Sequence, residues 1–290
     1  MVRGERPIKA DEVRDAVRDL AMRGRENSRP MVQFQAPICL KVAGLGEAYD
    51  ATVAQRIEAN IVDAGLKLAG PGCETNAVVL VVRDPHRLIK RMRQDRPMLV
   101  NVKASRRIKA ARNRGDAAIA WRLTRLDGPR GDALPQVEGV AGAAGTNLFA
   151  NAGANVPQTE RLGTSKFVIP YSIEAAFAAV VFDIDRLHNV HLDQLADFAT
   201  MRLLADPQPE IELQPDQAAS ILNLFDVDPL EGPQQMTRLD RAFLRGLYAM
   251  RPNSPSTRLE KFVLAAYRDG EDACETPDER TCAQTPSNAP

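Results

Sequence analysis

Histidine occurs only three times in the chain, at His86, His188 and His191, so chemistry that needs several imidazoles has little to draw on. His188 and His191 stand three apart, Asp193 follows two later, and Asp183 and Asp185 lie just upstream. That His-x-x-His-x-Asp run offers the nitrogen and carboxylate ligands a divalent metal takes. It also suits the first turn of a helix beginning at 191, where the helix dipole favours an acid at Asp193. The second reading is the expected one, with no structural or catalytic zinc and no other cofactor. Asp193 and Asp197 lie four apart on one face of that helix, beside Gln194 and Thr200. Two such carboxylates can divide acid and base work if burial separates their pKa values; otherwise they form a solvated helix face. The runs Gly-x-x-x-x-Gly-Lys-Ser/Thr, Gly-x-Gly-x-x-Gly, Gly-x-Ser-x-Gly and His-Glu-x-x-His are all absent, which removes the usual signature of four large enzyme classes.

The four cysteines form two local pairs, Cys39 with Cys73 and Cys274 with Cys282, as a disulfide framework would. Cys39 lies in the strand-like Pro-Ile-Cys-Leu-Lys-Val, and Cys73 in a Gly-Pro-Gly-Cys-Glu-Thr-Asn turn before a second strand. A bridge there would tie strand start to strand start across the helix between them. Cys274 and Cys282 flank Glu-Thr-Pro-Asp-Glu-Arg-Thr in a tail too polar to bury a core, where closing a short loop is a reason to hold both. Neither pair has Cys-x-x-Cys or Cys/His metal spacing. Disulfides persist outside the reducing cytoplasm, which predicts a periplasmic or secreted protein. The opening Met-Val-Arg-Gly-Glu-Arg-Pro carries no apolar signal region and alone would point to the cytoplasm; the expectation is that a signal has been removed. No apolar run approaches the roughly 18 residues a membrane-spanning helix needs.

Formal net charge is zero over 290 residues, but the charges are segregated. Between Arg83 and Arg130 fifteen Lys and Arg face four Asp, and between Asp183 and Asp240 twelve acids face three Arg. Such polarity suits an anionic partner at one surface, or a match between the two halves. Arg87, Lys90, Arg91, Arg106 and Arg107 are the candidate contacts for that partner, which could be an anionic envelope polymer, a lipid surface or another protein. Trp121 is the only tryptophan, and no nucleic-acid motif accompanies the cations. The alternative is that these are the solvated faces of two helices.

The elements that must position these residues follow from hydrophobic period. Residues 10–26 read as an amphipathic helix with Val13, Val17, Leu20 and Ala21 inward. A strand at 38–42, a helix at 49–66 with Val53, Ile57, Ile61 and Ala64 inward, and a strand at 77–83 form a β-α-β unit, and the run Val-Val-Leu-Val-Val suits an interior sheet position. Basic helices from 86 and from 105 bracket an apolar segment at 98–102, and a strand follows at 117–124. Residues 138–163, rich in Gly, Ala and Asn without any period, are expected to form a long mobile surface loop. Strand-like segments at 166–170 and 176–183 lead to helices at 191–204, 215–224, 238–247 and 256–269. The expected fold is α+β, or α/β: a mixed sheet with an N-terminal β-α-β unit and a helical C-terminal lobe. Its divisions are a helical arm (1–30), a β-α-β lobe (31–137), the loop (138–163), a strand-plus-helix lobe (164–270) and a disulfide-looped tail (271–290).

The segment Leu192-Asp193-Gln194-Leu195-Ala196-Asp197-Phe198-Ala199-Thr200-Met201-Arg202, with Ser220-Ile221-Leu222-Asn223-Leu224-Phe225 and the run from Met236 to Tyr248, resembles an uncharacterised family of exported alphaproteobacterial proteins. The order of these parts, which covers about residues 165–250, is also similar to zincin-like metallopeptidases. Where such a peptidase carries His-Glu-x-x-His, this chain has Leu-Asp-Gln-Leu-Ala-Asp-Phe, so the resemblance implies a domain whose catalytic metal has been lost. The leading expectation is a non-catalytic extracytoplasmic binding or scaffolding protein, a pseudoenzyme. A hydrolase working through Asp193 and Asp197, with His188 and His191, is the alternative, and nucleic-acid binding through 83–130 follows. What separates the first two is whether the 191–204 helix lines a deep cleft or is packed over on its Asp193 and Asp197 face.

Overall fold

The computed structural model describes residues 8–22, 29–132, 136–138, 155–157, 169–205, 207 and 219–272. In chain order its elements are α1 (Ala10–Val17, continued to Met22 as a π-helix), β1 (Val32–Gln33), β2 (Leu40–Ala43), α2 (Glu47–Asp63), β3 (Ala77–Val82), α3 (Pro85–Asp95), α4 (Val102–Arg114), β4 (Ala118–Asp127), β5 (Gln136–Glu138), β6 (Asn155–Pro157), β7 (Ser172–Asp183), α5 (Leu192–Leu204), α6 (Arg238–Ala249) and α7 (Leu259–Asp272).

β7 is apolar almost without alternation because it is the middle of the sheet and covered on both faces. β3 runs parallel along its second half, from Ala77 beside Ala178 to Val82 beside Asp183, and β2 runs parallel outside β3. The short β1 pairs parallel with the start of β7, and β4 runs antiparallel along its other edge with an irregularity at Leu123 and Thr124. Ala178, Val180 and Phe182 of β7 enter one core, shared with α1, α2, α5, α6 and α7. Phe177, Ala179 and Val181 enter a second core beneath α3 and α4, with Ile89, Val100, Ala104, Ala111, Ile119 and Trp121. Three layers result, and fully burying side chains such as Phe182 or Trp121 contributes about 1.5–3 kcal/mol each.

The expected mixed α/β class and parallel β-α-β unit are present, with β3 interior as its apolar run suggested. The residues assigned to an N-terminal and a C-terminal lobe share one sheet, and the larger core runs from Val13 to Tyr267. Of the expected loop at 138–163, residues 155–157 pair antiparallel with 136–138, and 139–154 and 158–163 lie outside the described residues.

Several segments take tighter turns than their apolar content suggested. Residues 97–99 form a 3-10 turn and α4 already starts at Val102, because Pro97 removes a donor and Asn101 caps the helix through Ala104 N–H at 2.9 Å. The described part of 215–224 is a 3-10 turn at Ile221–Asn223, and residues 169 and 170 are not strand.

Two glycines hold elements close. A Cβ at Gly246 of α6 would lie 2.6 Å from the Val263 nitrogen of α7, so only glycine lets these helices meet there. Gly44 follows β2 with φ +122°, and a Cβ would strike the Val81 carbonyl. No helix among the described residues is long and apolar enough to cross a membrane.

Candidate functional site

Asp193 and Asp197 share a face of α5, as their spacing implies, and α2 packs over that face. Arg56 and Asn60, four apart on α2, reach Asp197, which is fully buried. Arg56 Nε and Nη2 donate to its two oxygens, each at 2.8 Å. Asn60 Nδ2 donates at 2.8 Å and the Met236 amide at 2.6 Å. The carboxylate is therefore met by four donors, as a buried charge requires. Asp193, with its side chain 59 % exposed, lies 3.4 Å from Arg56 Nη1. The hydrogen bond to Asp197 is the main reason the Arg56 guanidinium holds its proton more tightly than usual.

His188 and His191 are exposed at the entrance to α5. His191 is the N-cap, and its amide donates to Gln194 Oε1 at 2.9 Å. Gln194 is itself buried, its Nε2 donating to the carbonyls of Pro229 at 2.8 Å and Pro233 at 3.0 Å. Among the described residues no group of three or more His, Cys, Asp or Glu is placed to hold a metal ion. At the other end of α5, Arg122 of β4 donates to the Leu203 carbonyl and the Tyr248 hydroxyl to Leu204 at 2.9 Å. These contacts meet the negative end of the helix dipole.

Three further buried acids, Asp240, Glu174 and Asp127, escaped the sequence reading. Asp240 of α6 accepts from Ser220 Oγ at 2.5 Å, from the Ile221 amide at 2.8 Å, and from the amide and hydroxyl of Thr237, each at 2.9 Å. Burial pushes its carboxyl up to about 6, against the downward pull of these donors. The capping spacing Thr237-x-x-Asp240 was the available signal. Glu174 of β7 stands opposite Arg125 of β4, with Asp127 two residues along. Burial raises its pKa first and a hydrogen bond with Asp127 second, while Arg125 opposes both. Glu174 also accepts from the Ala36 amide at 3.1 Å, tying the chain after β1 to the sheet.

Cys39 and Cys73 form a disulfide with Cα atoms 6.0 Å apart. It links the approach to β2 with the turn before β3, spanning α2. Cys274 and Cys282 lie outside the described residues.

The five nominated cations sit on α3 and α4, the layer opposite the helix-rich face. Arg87, Lys90, Arg91 and Arg106 are exposed. Ile89 and Ala104 on the inner sides of the same helices are buried. Arg87 and Arg91, with Asp84 and Leu88, line an open hollow of about 250 Å³. Arg107 is half-buried and lines a smaller pocket of about 40 Å³ with Arg114, Asp116, Trp121, Arg122 and Arg202.

No protein-family model matches this chain, and no curated protein or solved structure is significantly similar to it.

Proposed function

We propose that the chain is a non-catalytic binding or scaffolding protein that works outside the reducing cytoplasm and engages an anionic partner through the outer face of α3 and α4. The observation that carries this reading is charge left over. Arg87, Lys90, Arg91 and Arg106 are exposed and make no ion pair among the described residues. A cluster of one sign raises the local concentration of the other and suits a polyanion more than a fold. The disulfide supports an extracytoplasmic setting.

The view that this is a degenerate zincin-like domain belongs to the same proposal. It draws support from α5, where the residues in place of His-Glu-x-x-His serve the fold, Gln194 as a tie to Pro229 and Pro233 and Asp197 as the partner of Arg56. A hydrolase built on Asp193 and Asp197 would have to free Asp197 from four donors, so binding takes precedence.

The test is retention on immobilised polyphosphate. The triple change Arg87→Glu, Arg91→Glu, Arg106→Glu, at exposed positions, should abolish retention while leaving the thermal midpoint within a few degrees. Undiminished retention would sink the reading. Peptide or ester turnover that disappears in Asp193→Asn, with the fold intact, would put the hydrolase first.

A further inference from the structure

We infer that the partner of the α3–α4 layer is an anionic lipid surface, which takes Met98 of the turn between these helices and Val102 at the start of α4. The inference rests on the reading above and names its partner.

Met98 is 77 % exposed and Val102 64 %, the two most exposed large apolar side chains among the described residues. The turn is anchored at its C-terminal end. Trp121 Nε1 donates to the Leu99 carbonyl at 2.8 Å, Val100 is buried in the second core, and Asn101 caps α4. Met98 and Val102 are thus held out from the protein on an anchored turn. Arg93 and Arg96 precede the turn, with the single acid Asp95 between them, and Arg106 follows, all exposed; Val102 and Arg106 share a face of α4.

Apolar tips within a cationic surround match the interface of an anionic bilayer, where the headgroups meet the charges and the acyl boundary takes the side chains. A soluble polyanion would satisfy the arginines and leave Met98 and Val102 in water. Of the other exposed large apolar side chains, Val227 and Leu230 also stand close together, but they are interleaved with Asp226, Asp228 and Glu231 and would be repelled from such a surface.

The experiment is flotation of the full chain with vesicles of phosphatidylcholine alone and of phosphatidylcholine with phosphatidylglycerol, alongside polyphosphate binding. The wild type should float only with the phosphatidylglycerol vesicles. Met98→Ser, Val102→Ser, which changes no charge and alters only exposed positions, should weaken that association about tenfold or more and leave polyphosphate binding unchanged. Arg93→Gln, Arg96→Gln, Arg106→Gln should weaken both. Wild type that binds polyphosphate but neither vesicle overturns the lipid inference and spares the anionic reading; binding to none of the three overturns both. Flotation of the double serine variant at wild-type strength, or equal flotation with neutral vesicles, also overturns it.

Discussion

Asp197 and Asp240 are both wholly buried aspartates, yet they are held by different means. Asp197 has a cation: losing Asp197 leaves Arg56 only the exposed Asp193, so Asp197→Ala should cost about 3 kcal/mol, the low end for a broken buried pair because Arg56 is partly exposed and keeps that second acid. Asp193→Ala should cost less than about 1 kcal/mol, as for a surface pair, and urea unfolding of the two variants will separate them. A comparable loss at both positions would contradict the roles assigned here. Asp240 has only neutral donors, and burial pushes it up to about 6. An unfolded aspartate releases its proton near 4, so between about pH 4 and about pH 6 the native state binds more protons than the unfolded one. Stability therefore falls as pH rises through that window, by about 3 kcal/mol for this group. Asp240→Asn cannot titrate, and unfolding measured across the window should show its pH slope flattened relative to wild type. Asp197 could be picked out from its helical spacing with Asp193. Its partner could not, because Arg56 lies 141 residues earlier in the chain and no local pattern links the two.

At the scale of elements, period and burial agreed where one side of an element faces the core. Val53, Ile57, Ile61 and Ala64 are inward on α2 as their spacing requires. The apolar segment at 98–102 carried no period to name its structure, and proline at 97 with the Asn101 cap makes it a turn leading into α4 three residues before the helix start expected at 105. The centrality of β7 was also hidden, since a sequence does not state which strands flank it. The disulfide joins residues 34 apart, so closing that loop should stabilise the fold by about 3–4 kcal/mol. Reduction should lower the denaturant midpoint accordingly, and alkylation followed by mass spectrometry should label Cys39 and Cys73 only after reductant. The α6–α7 contact offers a sharper test. Gly246→Ala would press a methyl against the Val263 backbone, costing about 1–3 kcal/mol as in other overpacked cores, whereas a wild-type unfolding midpoint would show that the helices can part freely.

Across the whole molecule, charge is the property that sequence reported best and placed least. The excess of cations between Arg83 and Arg130 is plain from composition. Those on α3 and α4 gather on one outer layer because of the sheet face these helices cover, whereas Arg122 and Arg125 of β4 are taken up within the fold by the end of α5 and by Asp127 and Glu174. Among the described acids of 183–240 some are buried, as at Asp197 and Asp240, and others lie in exposed loops such as 226–231, so these charges are only partly a property of the surface. Binding through the α3–α4 face is tested most directly by the salt dependence of polyphosphate binding for wild type and for a variant with Arg87, Lys90, Arg91 and Arg106 all changed to Gln. Each phosphate contact contributes roughly 0.7–0.9 to the slope of log affinity against log salt in nucleic-acid systems. A steep wild-type slope is expected, falling by roughly that amount for each contacting cation removed. Slopes that coincide for the two proteins would contradict it.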